Sequence, residues 1–110
     1  MAALARVWLC TEECSFVLAE RITALAIRSP AGGPLAHMPD GDVRVTARTS
    51  EGDATVLTCG SELAPGLLAE LARVLTEAGD HPEPCAFVHA DGGNRPSWAI
   101  SSGPPEGWPG

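Results

Sequence analysis

Cys10 and Cys14 are the residues whose types and spacing most directly suggest chemistry. Thiolates bind soft metal ions such as Cu(I) and Zn, and the N-terminus of a helix lowers the pKa of a thiol. Free cysteines are also among the most buried residue types, so packing in the core is the competing interpretation. The pair therefore gives the hypothesis of a small Zn or Cu carrier, and the sequence indicates no other cofactor.

His89 and Asp91 lie two residues apart, where an imidazole and a carboxylate could share general acid–base catalysis. A histidine that only packs on a sheet would give the same pattern. The sequence contains no nucleophile elbow, phosphate-binding glycine loop or zinc-protease motif. We therefore assign no catalytic residue, and an enzyme is the less favoured class.

An alternating segment offers a candidate interaction surface. Over residues 43–49, Arg44 and Arg48 face away from the apolar residues of the same strand. Phe87 and His89 are also two residues apart and would share one face of a later strand. If all four lie on the open side of a sheet, that side combines apolar area with two cations, which is typical of an interface.

The element that would follow Cys10 has two interpretations. Residues 5–10 predict a buried strand, and Thr11 resembles an N-cap with two acidic residues behind it. Apolar residues then recur at helical spacing, so we expect a helix over residues 12–28. The competing interpretation makes residues 15–28 two strands, because β-branched and aromatic residues are frequent there.

The rest of the pattern is clearer. Residues 43–49 and 54–59 predict a hairpin, and residues 65–78 predict a helix with Pro65 in its first turn and a left-handed Gly79 at its end. Residues 85–90 predict another strand, and residues 97–101 an edge strand.

This order predicts an α+β domain with the ferredoxin-like βαββαβ arrangement, an antiparallel sheet with two helices on one face. The alternative is a β-meander closed by one helix of the C-terminal half. We expect a single domain over residues 1–102 and an irregular Pro/Gly-rich tail over residues 103–110.

Two local resemblances accompany this pattern. Cys10-Thr-Glu-Glu-Cys14 resembles the metal loop of heavy-metal-associated domains, which implies metal binding by the two cysteines. That family separates its cysteines by two residues, whereas three separate them here. Pro65-Gly-Leu-Leu-Ala-Glu-Leu resembles the opening helix of ACT domains, a family of small-ligand regulatory modules. Each covers half of the chain or less, so we assign the chain to neither family.

Composition narrows the classes of partner. The chain has 110 residues and a formal net charge of −7, and its second half carries nine acidic residues against two arginines. Because nucleic-acid binding depends on clustered cations, we expect no nucleic-acid partner. No apolar run is long enough for a membrane span, and four irregularly spaced cysteines suit reduced thiols, so we expect a cytoplasmic protein. The absence of lysine is typical of a high-GC bacterium.

These observations favour a noncatalytic regulatory or protein-interaction module that forms a homodimer through an open sheet face. Two alternatives stay open. One is the soft-metal carrier that uses Cys10 and Cys14, and the other is an acidic inhibitor or immunity-type protein for a basic enzyme.

Overall fold

The computed structural model describes residues 5–30, 40–91 and 96–103. This part of the chain forms seven strands and one α-helix, with a 3₁₀ turn at Ala19–Arg21 between the second and third strands. In chain order the elements are β1 (Arg6–Cys10), β2 (Phe16–Leu18), β3 (Ala24–Arg28), β4 (Asp42–Thr49), β5 (Gly52–Gly60), α1 (Ala64–Ala78), β6 (Cys85–Asp91) and β7 (Ser97–Ser101).

The strands form two sheets. A four-stranded sheet has the order β2-β1-β6-β7, and a three-stranded sheet has the order β3-β4-β5. β1 and β6 are parallel, while every other pair is antiparallel. Parallel neighbours need a long crossover connection, and the intervening chain with α1 and the three-stranded sheet supplies it.

The core lies between the two sheets and α1. Val43, Val45 and Ala47 alternate along β4 and are fully buried, as are Ala86 and Val88 of β6. Because successive side chains of a strand point to opposite faces, this alternation fixes the inner face of each sheet. The residues between these buried positions therefore point to the outer face of each sheet.

The helix α1 joins the two sheets. Its buried residues include Leu67, Leu71 and Val74, which recur every three or four positions and form one apolar stripe. The indole N–H of Trp98 on β7 donates a buried hydrogen bond of 2.9 Å to the carbonyl oxygen of Leu67. The predicted helix over 65–78 is therefore present, but Gly79 has φ −62° and is not left-handed.

The ferredoxin-like prediction is wrong. The described residues contain one α-helix and seven strands in two sheets, because residues 15–28 form β2, a 3₁₀ turn and β3 instead of a helix. The fold is closer to the alternative of a β-meander closed by one helix, since β3, β4 and β5 are consecutive antiparallel strands.

The physical reason lies in the turn at residues 11–15. The Thr11 hydroxyl does accept a hydrogen bond from the backbone N–H of Ser15, but at 3.3 Å and four residues away. Thr11 N–H also donates to the carbonyl of Ser15, and Cys14 has φ 61°, so the chain reverses instead of entering a helix. The sheet preference of the β-branched and aromatic residues then prevails.

The acidic residues of this turn close the edge of β5. Glu13 Oε1 accepts a hydrogen bond of 3.1 Å from the backbone N–H of Thr55, and Glu12 Oε1 accepts one of 2.9 Å from the Thr58 hydroxyl. The backbone N–H of Glu12 donates to the carbonyl of Thr55. The turn therefore links the two sheets.

No helix in the described part of the chain has the length and apolarity that crossing a membrane requires.

Candidate functional site

Three arginines share the outer face of the three-stranded sheet. β4 buries Val43, Val45 and Ala47, so Arg44 and Arg48 point the other way. In the β3–β4 register Arg28 lies directly opposite Arg44, and directly opposite residues of an antiparallel pair share a face. We call this surface, defined by Arg28, Arg44 and Arg48, the arginine face.

The residues that lie beside the arginines on this face have small side chains. Ala26 and Ala24 of β3 pair with Thr46 and Arg48, and Thr58 of β5 pairs with Arg44. The Thr46 hydroxyl donates to the carbonyl oxygen of Ala26, so its polar group is already used within the sheet. The guanidinium groups are therefore the principal groups on this face with which another molecule could bond.

Only Arg48 has a carboxylate partner on this face within the described part of the chain. Its Nε donates a hydrogen bond of 3.0 Å to Asp53 Oδ1. This bond lowers the pKa of Asp53 below its ordinary value, and the charges of Arg48 and Arg28 act in the same direction. The same bond raises the pKa of Arg48. Asp53 is thus the one carboxylate that forms an ion pair on this face among the described residues, while the Glu12 carboxylate bonds the Thr58 hydroxyl beside Arg44.

Arg28 and Arg44 are held at a cost in free energy. Like charges directly opposite each other on a sheet are destabilising, by an amount on the order of 0.2–1 kcal/mol. In addition, Arg28 Nε is buried and has no hydrogen-bond partner among the residues that the structure describes. A buried donor without a partner costs roughly 1–3 kcal/mol. Neither residue forms an ion pair within residues 5–30, 40–91 and 96–103, although Asp53 is close enough to attract Arg28.

The predicted interface divides between the two sheets. Arg44 and Arg48 lie on β4, whereas Phe87 and His89 lie on β6 in the four-stranded sheet. Phe87 makes an edge-to-face contact with Phe16 of β2, with ring centroids 5.3 Å apart and planes at 62°. The four residues therefore do not share one sheet face, and the arginine pair and the aromatic pair must be considered separately.

The two cysteines of the predicted metal site differ in their surroundings. Cys10 ends β1 and is 3% exposed, and burial raises the pKa of its thiol to about 11. Cys14 is exposed in the following turn. Cys10 and His89 line one cavity of about 270 Å³ together with apolar residues of β5. No group of three or more metal-ligating side chains occurs in the described ranges.

Sequence reasoning missed the role of Arg28. The prediction placed Arg28 in the last turn of a helix, whereas it ends β3 on the arginine face. Residues 24–28 read Ala-Leu-Ala-Ile-Arg, and Leu25 and Ile27 pack against the core. That alternation is the signal of a strand, and it would have placed Arg28 on the outward side with Ala24 and Ala26.

Comparisons of the chain with protein-family models, with curated proteins and with solved structures give no match.

Proposed function

We propose that this chain is a noncatalytic protein-interaction module of the cytoplasm that associates with a second copy of itself through the arginine face. The observation that carries the proposal is the direct opposition of Arg28 and Arg44, neither of which forms an ion pair within the described residues. Surfaces used for binding often retain groups that lower the stability of the free protein. A partner that brings carboxylates would remove the repulsion and would offer acceptors to the guanidinium groups.

The second copy can supply those carboxylates. The chain has 14 acidic residues against seven arginines. Glu62, Asp80 and Glu83 are exposed, and none of them takes part in an ion pair within the described residues. An acidic surface of one protomer is therefore complementary to the arginine face of the other, and closed symmetric dimers are the commonest arrangement for such pairs.

Electrostatic complementarity of this kind has a measurable signature. Pairs of exposed charges are screened when the ionic strength rises, because the Debye length falls from about 10 Å at 0.1 M salt to about 3 Å at 1 M. Association through the arginine face should therefore weaken with added salt. An interface formed mainly by apolar area would respond in the opposite direction or not at all.

Sedimentation velocity over a range of protein concentrations tests the proposal. We expect a reversible dimer that Arg44→Thr weakens roughly tenfold or more, the loss of one charge-assisted contact in each half of the interface. Threonine suits this position because it favours strands and already occupies the neighbouring outward position at Thr46. The matched control is Arg73→Gln, which removes the same charge from an arginine that bonds Glu77 on α1.

The stability of the monomer provides a second readout. At concentrations below dimer dissociation, Arg44→Thr should unfold at an equal or higher urea concentration than the original chain, because it removes the repulsion with Arg28. If Arg44→Thr weakens the association of the dimer without lowering the stability of the monomer, Arg44 contributes to binding and not to folding. A monomer at every concentration, or equal weakening by Arg73→Gln, would overturn the proposal.

A further inference from the structure

A cleft separate from the arginine face lies beside the edge strand of the four-stranded sheet. It has a volume of about 310 Å³ and is bounded by β1, β2, the 3₁₀ turn and the turn between β4 and β5. Trp8, Phe16 and Leu18 form its apolar wall, and Arg6 and Arg21 stand at its polar side.

The apolar wall follows from the strand register. Trp8 pairs with Leu18, so the two side chains lie on the same face of the sheet. Trp8 is half-buried and Leu18 is buried, while Phe16 remains 36% exposed although its ring contacts Phe87. Aromatic walls of this kind bind planar apolar groups by stacking or edge contacts.

The polar side carries two cations. Arg6 is two residues from Trp8 on β1 and therefore lies on the same face, and Arg21 ends the 3₁₀ turn. Both guanidinium groups are exposed, and neither makes an ion pair within residues 5–30, 40–91 and 96–103. A guanidinium binds a carboxylate through two parallel hydrogen bonds, which fixes the orientation of the ligand.

The turn between β4 and β5 limits the charge that the cleft accepts. The Thr49 hydroxyl accepts a hydrogen bond from Glu51 N–H and donates one to the carbonyl of Gly52, so this turn has a defined shape. Its Ser50 and Glu51 border the cleft and are exposed. One acidic residue beside two arginines leaves a net charge of +1, which favours a ligand with a single negative charge.

We propose that this cleft binds a small aromatic carboxylate. Its carboxylate bonds Arg6 and Arg21, and its ring lies against Trp8 and Phe16. The cleft volume is at the lower end of the range of about 300–1,000 Å³ that small-molecule sites occupy, so it suits a ligand with one ring system. Because none of these residues belongs to the arginine face, the cleft could regulate the module without competing for its partner.

Isothermal titration calorimetry with phenylacetate and phenethylamine tests this proposal, since the two probes share a ring and differ in the sign of their charge. We expect saturable binding of phenylacetate and no binding of phenethylamine. Arg6→Gln and Arg21→Gln should each weaken phenylacetate binding roughly tenfold, as expected for loss of one charged hydrogen-bonding group. Arg73→Gln is the control, because Arg73 lies on α1 outside the cleft.

Nuclear magnetic resonance places the ligand. Phenylacetate should shift the indole N–H signal of Trp8 and leave that of Trp98, which bonds Leu67 in the core, unchanged. Equal binding of the two probes, no binding of phenylacetate at millimolar concentration, or unchanged affinity in both cleft variants would overturn the proposal. These measurements use dilute protein and do not depend on the dimer, so either proposal can fail alone.

Discussion

Replacement of Glu13 by alanine tests how the two sheets are joined. Glu13 Oε1 accepts a hydrogen bond from the backbone N–H of Thr55, on the edge of β5 that has no neighbouring strand in the described structure. Thr55 is 8% exposed, so its N–H group is largely removed from water. Alanine would leave this donor without its acceptor and would detach one of the contacts that hold the turn at residues 11–15 against β5.

The expected cost follows from the burial of the donor. A buried N–H that loses its partner costs roughly 1–3 kcal/mol, and bonds to a charged acceptor lie in the upper half of that range. We therefore expect Glu13→Ala to lower the free energy of unfolding by about 2 kcal/mol. With a urea m-value of about 1–3 kcal/mol per molar, typical of small proteins, the unfolding midpoint would fall by roughly 1 M.

Urea denaturation followed by circular dichroism measures the shift, and Glu12→Ala is the matched control. Glu12 is the adjacent residue with the same charge, but among the described residues its carboxylate bonds the exposed hydroxyl of Thr58. We expect its replacement to change stability by no more than about 0.5 kcal/mol. Hydrogen exchange of the Thr55 amide should accelerate in Glu13→Ala alone. Equal effects of the two variants on stability would refute the greater contribution that we assign to the Glu13–Thr55 bond among those that link the sheets.

Two further predictions concern the thiol of Cys10 and the backbone of two glycines. Burial raises the pKa of Cys10 from 9.0 to about 11. Because the thiol ionises less readily in the folded state, it contributes at most about 3 kcal/mol to the free energy of unfolding. This contribution should be fully present below about pH 9 and lost as the pH rises through about 11. Urea titrations under reductant should show a smaller pH dependence of stability for Cys10→Ala. An added Cβ meets nothing within 4 Å at Gly52 or at Gly66, but Gly52 has φ +124° whereas Gly66 lies in the first turn of α1. Gly52→Ala should therefore lower the melting temperature and Gly66→Ala raise it, and shifts of the same sign would contradict this backbone assignment.

The segments that the sequence predicts correctly are those whose pattern has no competing interpretation. The strand over residues 43–49 corresponds to β4, and the helix over 65–78 corresponds to α1, because each has a full apolar face. The strand over residues 97–101 is also present as β7. In these segments local preference and tertiary packing agree.

Residues 12–28 show where that agreement ends. Thr11 with acidic residues behind it is the usual beginning of a helix, yet the same groups also make a tight turn and reach a neighbouring strand. The choice depends on contacts with Thr55, which lies more than 40 residues away in the chain. The local cap pattern does not contain that information, and it outweighed the alternation of residues 24–28 that would have placed Arg28 on the outward face of a strand.

The distribution of the arginines connects the two proposed binding regions. Five of the seven arginines occur in residues 1–50, although the chain as a whole is acidic. Three of the five form the arginine face, and the other two, Arg6 and Arg21, border the cleft.

Arg73 on α1 shows the alternative role of an arginine in this protein. It lies 2.8 Å from Glu77 and 3.9 Å from Glu70, so its charge is neutralised on its own helix. If the arginines of the first half served local stability, similar pairing would be expected there, since the chain has twice as many acidic residues as arginines. Among those five only Arg48 has such a partner in the described residues. The remaining four arginines form no ion pair within the described residues, and this is the common physical basis of both proposals.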